Sequence, residues 1–151
     1  MANITHKITI SSGIKTAVNA LITIDGLKAW WTTDTSGTPR QDGLIKFRFN
    51  DHGPDMIVET STGTKIIWRC IAGPEDWLNT TIEYQLKPEG TEQTEIYFTH
   101  RGWAEENPFH YHCSMKWAVF LLSLKEYLEL GVGRPFPDDI QIEGPLEHKV
   151  S

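Results

Sequence analysis

The chain has 151 residues, 39% hydrophobic and 23% charged, the size and make-up of one globular domain with a sizeable core. Its formal net charge is −6 with no run of Lys or Arg, which argues against nucleic acid, where phosphate contacts dominate affinity. No apolar run is long enough to span a bilayer, so neither a nucleic-acid partner nor membrane insertion is expected.

The N-terminal stretch MANITHKITI alternates polar and apolar residues and lacks the charged start and apolar block of a signal peptide. The cytoplasm is the expected location. In that compartment Cys70 and Cys113 read as buried free thiols rather than a disulfide. Ile4, His6, Ile8 and Ile10 fall on one face of a half-buried strand. Ile14, Ala17, Val18 and Leu21 then recur at helical spacing. Asp25-Gly26 reads as a break, with Asp25 the cap of a second short helix carrying Leu27, Trp30 and Trp31. The tryptophans differ by about 100° around that helix, so one is expected to pack and the other to edge a cavity.

From Gly43 to Arg101 the period becomes two. GLIKFRFN puts Ile45, Phe47 and Phe49 together, and DMIVETSTGTKIIWRCI reads as two strands about Ser61-Thr62-Gly63. Parity leaves either Trp68 or Arg69 inward, and Trp68 is assigned there. Strands are predicted over 78–86, with Ile82 and Tyr84 on the apolar face, and over 95–101, with Ile96, Phe98 and His100 inward. Consecutive strands without intervening helices predict one antiparallel meander. A long helix is predicted from Asn107-Pro108 to Gly131, striped by Cys113, Trp117, Leu121, Leu124 and Leu128 and widened by Phe120 and Tyr127. The fold class is α+β, with the sheet wrapped around the last helix.

Three segments carry a family resemblance: LKAWWTTD at 27–34, GLIKFRF at 43–49, and THRGW at 99–103 followed by MKWAVFLLSLKEYLELGVGRPF at 115–136. Over roughly residues 4–136 the chain resembles the START-like (SRPBCC) superfamily with its helix-grip fold. Within it, the chain is most similar to homologues of the activator of the heat-shock-chaperone ATPase, and more loosely to polyketide cyclase/dehydrase-like proteins. The resemblance implies one domain over 1–136, followed by an extended tail over 137–151, and a hydrophobic cavity between sheet and long helix.

Candidate ligand-binding residues are Trp30, Trp31, Phe47, Phe49, Trp68, Tyr84, Phe98 and His100 from the first part of the chain, and Trp117, Phe120, Leu121 and Leu124 from the helix. His100, on an apolar face, is the one candidate acid or base. His110 and His112 fall on different helix faces, and no HExxH or CxxC occurs, so no metal and no cofactor are expected. There is no GxSxG, phosphate loop or GxGxxG, and no residue is assigned a catalytic role. The expected function is binding of a small hydrophobic molecule: a lipid, polyketide or aromatic metabolite. The alternatives are a cyclase/dehydrase-type enzyme using His100, and a co-chaperone-like module that partners a heat-shock ATPase. Nothing in the sequence indicates an oligomeric state.

Overall fold

The structure, a computed structural model, describes residues 2–146. Strand β1 (Ala2–Ile10) is followed by helices α1 (Ile14–Ile22) and α2 (Ile24–Trp30). Strands β2 (Asp34–Gly37), β3 (Leu44–Arg48), β4 (Asp55–Ser61), β5 (Lys65–Ala72), β6 (Thr81–Pro88) and β7 (Thr94–Trp103) come next, and helix α3 (Pro108–Leu130) follows. The strands form one seven-stranded antiparallel sheet in the order β1-β7-β6-β5-β4-β3-β2. The α+β helix-grip architecture is therefore the observed one. β1 pairs with the last strand because the two short helices carry the chain across to the far edge before the meander begins.

Register explains the inner face. Val58 pairs with Trp68, Trp68 with Ile82, Ile82 with His100, and His100 with Ile4. This row of inward side chains crosses five strands, and α3 lies over it: Trp117 stands 4.6 Å from Phe98 and 4.9 Å from Trp31, ring centroid to centroid. Arg69 points outward to Glu59 at 3.1 Å. The two ends of α3 follow their sequence signals. Asn107 Oδ1 accepts from the His110 N–H at 2.9 Å, Pro108 occupies the first turn, and Gly131 closes the helix at φ 85°.

Three details depart from the sequence reading. The polar DTSG segment pairs with β3 as the edge strand β2. The strand predicted from Leu78 begins at Thr81, after a short 3-10 turn at Glu75–Trp77 and a left-handed Asn79 at φ 65°. Finally, Thr23, not Asp25, caps α2. Its hydroxyl accepts from the Gly26 N–H and donates to the Asn19 carbonyl, joining the two helices. Gly26 is thus inside α2, and its role is close approach: a Cβ there would stand 2.7 Å from the Ala20 Cα. Gly26→Ala is expected to cost about 1–3 kcal/mol by forcing α1 and α2 apart, seen as a lower urea midpoint with an unchanged m-value.

Candidate functional site

Sheet and helix splay apart at the end of the molecule where the β3–β4 loop, the Pro74–Trp77 turn and the first half of α3 converge. They enclose an open cavity of about 350 Å3. Its wall is aromatic: Trp31, Phe49, Trp77, Phe109, Trp117, Phe120 and Phe136. Trp77 and Trp117 stack at 5.9 Å with 19° between planes, and Phe49 lies 5.7 Å from Trp31 and 5.3 Å from Phe136.

One wall comes from the chain beyond α3. The Arg134 N–H donates to Ser123 Oγ at 2.7 Å, and the Phe136 N–H to the Trp31 carbonyl at 2.8 Å. These bonds turn the C-terminal segment back over the cavity, so that Phe136, Asp139, Gln141, Ile142 and Glu143 line it. Lys116 of α3 pairs with the buried Asp139 carboxylate and also donates to the Ile140 carbonyl at 3.1 Å. His112 Nδ1 meets Glu143 at 3.1 Å. The first part of the segment read as an extended tail over 137–151 is therefore a strap on the cavity; residues 147–151 of that reading lie outside the described residues.

Of the residues named from sequence, Trp31, Phe49, Trp117 and Phe120 stand on the cavity wall. Trp30, Phe47, Trp68, Tyr84, Phe98, His100, Leu121 and Leu124 lie in the packed interior. The tryptophan pair divides ring by ring. The Trp30 indole N–H donates to the buried Ala20 carbonyl at 3.0 Å, whereas Trp31 joins core to cavity through Phe47 at 4.2 Å and Phe49. The sequence reading missed His52, Pro54, Pro74, Trp77, Phe109, His112, Cys113, Lys116 and the strap. His52, Pro54, Pro74, Trp77 and the strap lie outside regular strands and α-helices and carry no periodicity, whereas Phe109, His112, Cys113 and Lys116 are on α3, where periodicity marks the sheet-facing side but not the splayed end. The aromatic character of Trp77, Phe109 and Phe136 was the one hint.

His100 is fully buried, and both its ring nitrogens are engaged. The Trp117 indole N–H donates to Nδ1 at 3.1 Å. The proton must then sit on Nε2, which donates to Thr80 Oγ1 at 2.8 Å, and that hydroxyl donates to the Trp77 carbonyl at 2.6 Å. Burial, with the nearby His110, pushes its pKa down to about 3. A neutral, enclosed imidazole with no free lone pair is a structural group at neutral pH, and the acid/base reading of His100 has no support in this geometry. Cys113 touches the cavity, but burial raises its thiol to about 12, so it holds its proton and is a poor nucleophile. Cys70 and Cys113 are both free thiols. Among the described residues no group of three or more His, Cys, Asp or Glu could hold a metal ion, and no helix is long and apolar enough to cross a membrane.

A family profile described as activator of Hsp90 ATPase homolog 1-like protein matches residues 16–129. Among solved structures, the chain is similar to the Aha1 dimer from Colwellia psychrerythraea, determined in solution. The identity is 46% and the TM-score 0.79, over 88% of this chain and 100% of that one. It is also similar in fold to protein SSP2350 from Staphylococcus saprophyticus, at 19% identity and TM-score 0.72 over 87% of this chain and 95% of that one. CalU16 from Micromonospora echinospora matches at 15% identity and TM-score 0.75, over 95% of this chain and 75% of that one. Comparison with curated proteins gave no match.

Proposed function

The chain belongs to the activator of Hsp90 ATPase homolog 1-like family, within the START-like superfamily, and from that premise we propose that it binds a compact aromatic molecule under the C-terminal strap. The observation that carries this reading is an open cavity with seven aromatic side chains, Trp31, Phe49, Trp77, Phe109, Trp117, Phe120 and Phe136, on its wall. Its volume of about 350 Å3 sits at the low end of the roughly 300–1,000 Å3 typical of ligand sites, which favours a planar ring system over a long-chain lipid. Stacking on Trp77, Trp117 and Phe49 would supply most of the affinity. His52, His112 and Lys116 offer polar contacts to a hydroxyl or carbonyl group of the ligand.

Native mass spectrometry of freshly purified protein, followed by titration with planar polyketide-like and flavonoid-like compounds, tests this. A true ligand at a hundred times its Kd is expected to add about 2.7 kcal/mol of stability and to quench tryptophan emission. Phe109, half-exposed on the rim, is the discriminating position: Phe109→Ala is expected to leave the fold intact and weaken binding about tenfold. No retained mass and no stabilisation by any aromatic compound would overturn the reading. Stimulation of a heat-shock chaperone's ATPase, the activity named in the family description, is the competing reading, and adding the chain to that ATPase separates the two.

We further propose that the chain forms a homodimer, because the relative from Colwellia psychrerythraea, whose whole length this chain matches at 46% identity, is described as a dimer.

A further inference from the structure

Helix α3 carries two apolar seams. The inner one, Cys113, Trp117, Phe120 and Leu124, is buried against the sheet. The outer one is Tyr111, Met115, Ala118 and Leu122. It has the same four-three-four spacing, begins two residues earlier, and is therefore rotated about 200° to the opposite side of the helix. Tyr111 is 57% exposed, Met115 56% and Leu122 53%. A helix on the outside of a two-layer domain ordinarily turns charge to solvent; one that is apolar on both sides is built to be covered on both. The spacing of 3.5 residues is that of a helix-pairing seam.

The charged neighbours are held away from this seam. Lys116 turns to Asp139 and His112 to Glu143 on the strap side. On the other side Lys125 donates to the Thr9 carbonyl of β1 at 2.5 Å and pairs with Glu129 at 2.7 Å. The outer seam is left as a strip between two sets of intrachain pairs.

We infer that two copies meet through this outer face of α3, as an antiparallel pair about a two-fold axis passing at the level of residues 116 and 117. The inference rests on the dimer reading above and names its interface. In that arrangement Tyr111 falls opposite Leu122 of the second copy and Met115 opposite Ala118, a long side chain facing a short one, whereas a parallel pair would set Met115 against Met115 and Ala118 against Ala118. A two-fold interface needs this reciprocity, because each patch must fit itself. Ala118 lets the helix axes approach within the usual 8–10 Å. The open edge of β1 fits a second copy less well. It presents Lys7 to solvent, and the Lys125 ammonium already occupies its Thr9 carbonyl, both devices that discourage strand addition. One short seam covers less than the roughly 800 Å2 per partner of a standard interface, so the dimer is a concentration-dependent one.

Sedimentation equilibrium of the full chain across a dilution series tests this. The wild type is expected to pass from twice the chain mass to the chain mass on dilution. Leu122→Glu and Met115→Glu, at exposed positions, are expected to keep the circular dichroism and melting profile of the diluted wild type and to raise the dimer Kd by about a hundredfold. The double variant Tyr111→Lys with Leu122→Glu sets opposite charges across the pairing and is expected to recover most of that loss. Glutamate variants that dimerise like the wild type would overturn the α3 interface while leaving the dimer standing. A wild type that is monomeric at every concentration would remove the dimer reading itself. Weakening without recovery in the double variant would overturn the antiparallel register.

Discussion

Trp31→Ala is expected to lower stability by about 3–5 kcal/mol and to abolish uptake of aromatic ligands, whereas Trp30→Ala is expected to cost at least as much stability and leave ligand affinity unchanged. Both side chains are buried, so both truncations lose transfer energy and leave a void. The difference lies in what each void adjoins. Trp31 is on the cavity wall, 4.9 Å from Trp117 and 5.7 Å from Phe49. Without it the cavity opens toward Phe47 and Trp68, and a planar ligand loses a facing ring. Trp30 stands behind, stacked on Trp31 at 6.0 Å and edge-on to Tyr84. Its loss also strips the Ala20 carbonyl of a buried donor, adding about 1–3 kcal/mol. Trp30→Phe keeps most of the volume and is expected to show only that hydrogen-bond component. Urea unfolding gives the stabilities, and ligand titration at a temperature where each variant is fully folded gives the affinities. Loss of binding in Trp30→Ala with retention in Trp31→Ala would place the ligand elsewhere.

The element order was legible because the local signals agreed: strands of period two separated by turns between Gly43 and Arg101, a capped and glycine-terminated last helix, and two short apolar stripes near the start. β2 escaped because three polar residues and a glycine on a sheet edge need no apolar alternation. The Asp25-Gly26 pair read as punctuation, yet Gly26 is a packing residue, and its contact with Ala20 has no counterpart in turn chemistry. For the site, parity says which side chains face inward but not where the interior is empty. Trp68, Tyr84, Phe98 and Phe47 face inward and fill the space with one another, with Trp68 5.0 Å from Tyr84 and 5.4 Å from Phe47. The opening lies at the splayed end instead, walled by loops and by a segment whose charge and prolines resembled a solvated tail. Asp139 and Glu143 find Lys116 and His112 across 23 and 31 residues, and no local pattern marks such a pairing. Periodicity picked out the inner stripe of α3, and the structure buries Cys113, Trp117, Phe120, Leu121 and Leu124 while leaving Tyr111, Met115 and Leu122 exposed.

Acidification is expected to remove the stabilising effect of His100 over a defined window. Its pKa is about 3 in the folded chain and about 6.5 when unfolded. A base whose folded pKa is depressed gives stability that is fully present above the unfolded value and is lost as pH falls toward the folded one, because the unfolded chain takes up the proton first. The slope through that window is about 1.4 kcal/mol per pH unit. Between pH 6.5 and 4.5 the wild type is therefore expected to lose about 2–3 kcal/mol from this group alone. His100→Asn cannot titrate. It can still accept from the Trp117 indole but cannot also reach Thr80, so at pH 7 it is expected to be less stable than wild type by about 1–3 kcal/mol. The gap should close near pH 4.5, since carboxylate titrations common to both proteins cancel in the comparison. Parallel profiles for the two proteins would mean that the imidazole is not enclosed as described. Ligand affinity at pH 7 supplies the functional half of the test. If the Trp117–His100–Thr80 chain only holds the cavity wall in place, His100→Asn shifts the binding constant little and leaves its dependence on pH as in wild type. A residue acting as acid or base on a bound molecule would change both.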